Sequence, residues 1–156
     1  MSEYRVEKRE AEAELTLATG AAVKGCFFLS ASSPTHAGPE RVRDVLNAHS
    51  AFVPFKIEDG LTALFNRAHI VLIRLPAQAI EAQFEPGYEV ATRRVVSMLL
   101  STGERIAGTV SVYQPAGHDR LSDYASSSET FRYVETEHHT LIVNSAHMVE
   151  LREAGD

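Results

Sequence analysis

Arg41, Asp44 and Asn47 are spaced three residues apart, and Arg120 with Asp123 repeats the first part of that pattern. A guanidinium and a carboxylate at i, i+3 share one helix face. They can pair locally, anchor a loop, or present a polar constellation beside a groove. A second recurring pair is Asn66 with His69 and Asn144 with His147. Each is spaced to open a strand, with the side chains hydrogen-bonding the turn before it. These nine residues are the candidate ligand- or partner-binding positions.

Other reactive residues carry less chemistry. Seven histidines raise the question of a metal site, but no spaced His–carboxylate set such as H-E-x-x-H occurs. His36 and His118 fall in expected loops, and the adjacent His138 and His139 would point to opposite faces of a strand. Neither a metal nor a cofactor is expected. Cys26, the single cysteine, sits beside Gly25 among apolar residues and reads as a packed thiol rather than a nucleophile. Ser126-Ser127-Ser128 follows an expected helix and lacks the strand-to-helix elbow of a serine nucleophile. With no catalytic residue expected, the chain is not read as an enzyme.

What must position the candidates is an internal repeat. Thr19-Gly20 through Leu29 aligns with Thr102-Gly103 through Val112, which brings Gly25 onto Gly108. Arg41 and Asp44 align with Arg120 and Asp123, and Phe52 with Phe131. Asn66, Ala68, His69, Val71 and Arg74 align with Asn144, Ala146, His147, Val149 and Arg152. Three blocks agreeing in order, spacing and chemistry imply duplication. The halves are residues 1–76 and 88–156, with a linker over 77–87 that ends in Pro86-Gly87, a turn signal.

Each half predicts the same elements. Ala11, Ala13, Leu15 and Leu17 alternate with polar or small residues, the period of a half-buried strand; its counterpart is 90–100. A Thr-Gly turn leads to a second strand, 23–30 or 106–113. The mid-strand glycine implies a bend or a close backbone approach. Residues 40–49 and 119–127 predict short helices, with Val42, Val45 and Leu46 on one face. A third strand (51–57, 130–135) and a hairpin (61–65 with 69–75, 140–143 with 147–152) follow. Asn66 and Asn144 lie in the hairpin turns, where Asn tolerates the left-handed conformation. The fold class is mainly β, and five short strands per half suggest two small barrels in tandem, each with a helical insertion after strand two.

Composition bounds the function. The chain has 156 residues, 44% of them hydrophobic and 23% charged, with a net charge of −6. An acidic chain is a poor general binder of phosphate backbones, so nucleic acid is not the expected partner. One cysteine excludes a disulfide framework. The polar N-terminal residues offer no signal peptide, and no apolar run is long enough for a membrane span; a cytoplasmic location without membrane contact is expected.

The two halves resemble the Sm-like barrel. Leu15–Leu29 and Met98–Val112 are similar to its first motif, an apolar strand, a Gly turn and a Gly-containing strand. Leu64–Ile73 and Ile142–Leu151 are similar to its second, a hairpin whose last strand begins with an aliphatic residue. Arg41-Val-Arg-Asp44-Val-Leu-Asn47 and Arg120-Leu-Ser-Asp123 resemble the Arg-Leu-Ser-Asp-Leu-Leu-Asn signature of a bacterial Sm-related family. The resemblance implies tandem Sm-like units. The RNA-gripping positions of Sm proteins, an Asp-x-x-x-Asn loop and a late Arg-Gly, are not matched beyond Arg67. A rival likeness is Arg5-Val-Glu-Lys-Arg9, similar to the Arg-x-x-x-Arg arm of PilZ domains; the companion Asp/Asn-x-Ser-x-x-Gly motif is missing. The reading is a non-enzymatic adaptor or regulatory module that binds protein. The alternatives are a module for a small ligand, a nucleotide among them, and an RNA-binding protein. A homodimer through exposed strand edges is also expected.

Overall fold

In the computed structural model, which describes residues 8–31, 38–48, 50–113, 121–127 and 129–154, the alternation at the start of each half becomes a strand. β1 (Lys8–Leu17) buries Ala13 and Leu15 and turns Glu12 and Glu14 outward. Gly20, at a φ of 89°, turns it into β2 (Ala22–Ser30), which buries Phe27 and Leu29. The helical insertion α1 (Val42–Leu46) is five residues long, shorter than its apolar spacing predicts. Then come β3 (Phe52–Ile57), β4 (Thr62–Asn66) and β5 (Ile70–Arg74). The second half repeats the series as β6 (Thr92–Leu100), β7 (Arg105–Val112), α2 (Leu121–Ala125), β8 (Phe131–Glu135), β9 (Thr140–Asn144) and β10 (Met148–Glu153).

The mid-strand glycines answer to a close approach. Gly25 pairs with Ile57 of β3, and a Cβ there would lie 2.0 Å from the Lys56 carbonyl oxygen. At Gly108 a Cβ would lie 2.8 Å from the Glu135 carbonyl oxygen. The expected closing hairpins do not form: β4 pairs with β3 and β5 with β1 and β9, while β9 pairs with β8 and β5 and β10 with β6, so each Asn turn joins two strands that are not neighbours. Among the described residues no non-glycine has positive φ. Asn66 and Asn144 instead cap short 3-10 turns (Arg67–His69, Ser145–His147) in extended conformation, each Oδ1 accepting the backbone N–H two residues on at 3.0 Å. A carboxamide satisfies an orphan helical donor without a left-handed backbone.

All ten strands join in one antiparallel sheet in the order β10-β6-β7-β8-β9-β5-β1-β2-β3-β4. The two halves therefore have the same internal order, with strand five beside strand one and strand four at the far side. The sheet is not closed: β5 pairs with β9 of the other half, leaving β4 and β10 at its ends. The β5–β9 register sets Leu72 against Val143, Ile73 against Ile142 and Arg74 against Leu141. Side chains cross this seam. Phe131 and Ile142 pack in the core of the first half, and Val71 and Leu72 in that of the second.

Candidate interaction site at the seam and the sheet ends

Local sequence builds the seam from both Asn-capped 3-10 turns. Asn144, almost fully buried, caps its own turn and donates from Nδ2 to the Ile70 carbonyl of the other half at 2.9 Å. His147 Nε2 donates to the Ala68 carbonyl at 2.7 Å, because a carbonyl only accepts; its Nδ1 then accepts from the Ser101 hydroxyl at 2.7 Å. His139, in the β8–β9 turn with His138 rather than on a strand, donates from Nδ1 to the Leu75 carbonyl at 2.9 Å. Asn47 pairs with both backbone groups of Phe131, donating at 3.1 Å and accepting at 3.0 Å.

Asn144→Ala should therefore cost about 2 kcal/mol, because it leaves the buried Ile70 carbonyl without its donor as well as removing a cap. Asn66→Ala should cost about 1 kcal/mol, the value of the cap alone. Urea unfolding of both variants measures the difference; equal losses would contradict the role of Asn144 in the seam.

The linker is a clasp rather than a spacer. It forms a 3-10 turn at Glu81–Phe84. Glu81 accepts from the Val42 and Arg43 backbone amides, both at 3.2 Å, and from the Tyr133 hydroxyl at 2.8 Å. Glu85 holds Arg41 at 3.1 Å and Arg43 at 2.6 Å, and Arg43 also reaches Glu129 at 3.2 Å and stacks over Tyr133. Tyr88 donates to Glu135 at 2.8 Å. Glu81 ties the linker to both halves and Glu85 ties it to the first. Sequence reasoning named Arg41 but missed Arg43, Glu81, Glu85, Tyr133 and His139. The i, i+4 spacing of Glu81 and Glu85 was the available signal.

Beside this clasp is a cavity of about 140 Å³, lined among others by Arg43, Tyr88, Asp123, Tyr124, Arg132 and Tyr133. Burial raises the Tyr124 hydroxyl to about 12 and pushes that of Tyr133 further up, helped by Glu81. Neither is a base near neutral pH. Arg132 donates to the Tyr124, Ser127 and Glu129 carbonyls. Cys26 is half-buried, and burial with Glu10 and Glu12 raises its thiol, which disfavours the thiolate.

Eight of the nine candidate positions fall among the described residues, and they do not form one site. Asn144 and His147 join Asn47 at the seam. Arg41 and Asp44 lie at the linker, where Asp44 accepts from the Arg41 backbone amide at 2.8 Å; Asp123 lines the cavity. Asn66 ends β4, and His69, just before β5, accepts the Ala18 backbone amide at its carbonyl at 2.8 Å. Arg120 lies outside the described residues, as do Arg5, His36, His49, His118 and Ser128. No group of three or more His, Cys, Asp or Glu among the described residues is placed to hold a metal ion. No described helix is long and apolar enough to cross a membrane. Compared with known proteins, the chain matches no protein-family model, no curated protein and no solved structure.

Proposed function

We propose that the protein is a non-enzymatic adaptor that binds protein through the open end of its sheet, built from two Sm-like units fused in one chain. The observation that carries this reading is the β4 edge. Among the described residues no strand lies beside its outer backbone groups, and Phe52, Leu61 and Leu64 are exposed along it. An unpaired strand flanked by apolar side chains takes an added strand through main-chain hydrogen bonds, with side-chain pockets giving specificity. Identical strand order in the two halves, the matched Asn caps and the matched glycine approaches support the duplicated unit.

Four of the arginines are held within the chain, which supports protein over phosphate as the partner. Arg41 and Arg43 are held by Glu85, Arg74 by Glu14, and Arg67 donates to the Leu46 and Ala48 carbonyls. A small apolar ligand is the second reading. A groove of about 480 Å³ between β1, α1 and the linker is walled by Leu29, Val42, Ala79, Ile80 and Phe84. Its walls suit a hydrocarbon better than a nucleotide.

The test is a binding measurement on purified protein with a library of extended peptides, beside a random RNA oligomer. Peptide binding that is lost in Leu64→Lys is expected, with RNA Kd weaker than about 1 µM at physiological salt. Tight RNA binding, or peptide binding indifferent to Leu64→Lys, would overturn the reading.

A further inference from the structure

The two halves differ where their first strands begin. The register of β1 on β2 and of β6 on β7 makes Ala11 the equivalent of Arg94, and the alignment of Asn66 with Asn144 makes Leu75 the equivalent of Glu153. In the second half these positions carry an ion pair, Arg94 with Glu153 at 3.2 Å. In the first half they carry a small and an apolar residue, and both line the groove of about 480 Å³ between β1, α1 and the linker. Its floor is buried and apolar at Leu29, Val42 and Leu75, while Ile80 and Phe84 on its wall are 48% and 61% exposed. The charges around it are not all matched. Glu81 is taken up by two backbone amides and the Tyr133 hydroxyl, and Arg41 by Glu85. Strand alternation sets Glu12 on the face of β1 opposite Arg9 and Ala11. Arg9 lines the groove beside Ala11 and donates once, to the Glu40 carbonyl at 3.2 Å; among the described residues no carboxylate pairs with it.

We infer that this groove binds a free medium-chain fatty acid, its carboxylate on Arg9 and its acyl chain along Leu29, Val42 and Leu75 against Ile80 and Phe84. This rests on the small-ligand reading of the groove and names the ligand class. The volume lies within the range of small-molecule sites, which are mostly apolar with a few polar groups that fix orientation. Burial of methylenes against the floor drives binding. The guanidinium presents a planar fork of N–H donors that matches a carboxylate in two parallel hydrogen bonds. A neutral hydrocarbon would leave the Arg9 donors unused, and an anion without a chain would leave the apolar floor bare. The second half has no such site, because Arg94 and Glu153 satisfy each other where the first half has Ala11 and Leu75.

Decanoate, kept below its micelle concentration, is the probe, titrated into the full chain by calorimetry beside octanoate and decanol, with circular dichroism to check the folding of each variant. One decanoate per chain is expected, and octanoate, two methylenes shorter, should bind about fifteenfold more weakly. Arg9→Gln, at an exposed position, should weaken decanoate by about tenfold or more, the loss of a charged hydrogen-bond partner, and leave decanol unchanged. Phe84→Asp, also at an exposed position, should weaken both. No saturable decanoate binding at about 1 mM, where millimolar affinity would be visible, overturns the inference. So does decanoate binding indifferent to Arg9→Gln or to Phe84→Asp. Decanol bound as tightly as decanoate, and both lost in Phe84→Asp, would refute the carboxylate ligand and leave the small-ligand reading standing; binding of neither would overturn both. Co-sedimentation with phosphatidylglycerol vesicles in place of decanoate binding, or peptide binding lost in Phe84→Asp but kept in Leu64→Lys, would give the groove to a membrane or a protein and refute the fatty acid.

Discussion

Replacing Gly25 by valine is expected to destabilise the protein by ~3 kcal/mol, the upper part of the range for overpacking. The cause is backbone rather than side-chain crowding. A Cβ at residue 25 would lie 2.0 Å from the Lys56 carbonyl oxygen and 2.7 Å from the Phe55 ring. A carbonyl in a strand cannot swing aside as a flexible side chain can, so β3 must shift. Phe55 is fully buried and packs edge-on against Phe27 at 4.9 Å, which spreads the disturbance into the core. Gly25→Ala should share most of the loss. Gly20→Ala is the control: its φ is 89° and nothing lies within 4 Å of the added Cβ, so only the left-handed strain of about 1 kcal/mol applies. Guanidinium unfolding midpoints rank the three. Near-wild-type stability in both Gly25 variants would show that β2 and β3 are not this close.

Phe131→Ala is the other large effect, expected at about 3–5 kcal/mol, the usual loss for a fully buried phenylalanine. Its ring belongs to β8 of the second half but fills the core of the first, so the variant weakens the seam as well as one half. The same change at its repeat equivalent, Phe52→Ala, should move the stability of the dilute chain by no more than about 0.5 kcal/mol, as at other surface positions. Thermal or chemical unfolding at low micromolar concentration makes the comparison. Similar losses at both positions would mean that the end of the sheet is already covered within one chain.

The local content of each half was legible because it depends on neighbours in sequence. The alternation over Ala11–Leu17 becomes β1, and the Thr19-Gly20 and Thr102-Gly103 turns become hairpins. The mid-strand glycines mark the close approach they imply. The chemistry of Asn66 and Asn144 was only half legible: both were assigned to the turns, but their role is to cap a 3-10 turn through the side chain. The linker's function was not legible. Glu81 and Glu85 find Arg41, Arg43 and Tyr133 only after the chain has folded back on itself.

The sequence by itself determined the duplication and the order of elements in each half, since these follow from periodicity, turn residues and matched spacing. Tertiary structure alone decided which strand edges meet. Edge pairing is made by backbone N–H and C=O groups that every residue carries, so the side chains only bias it: β10 carries Glu150 where β5 has Leu72, and the packing of the two halves decides which edges meet. Phe52 and Phe131 are the same residue at the same place in the repeat. One is half exposed and the other fully buried because the second half lies against only one side of the first.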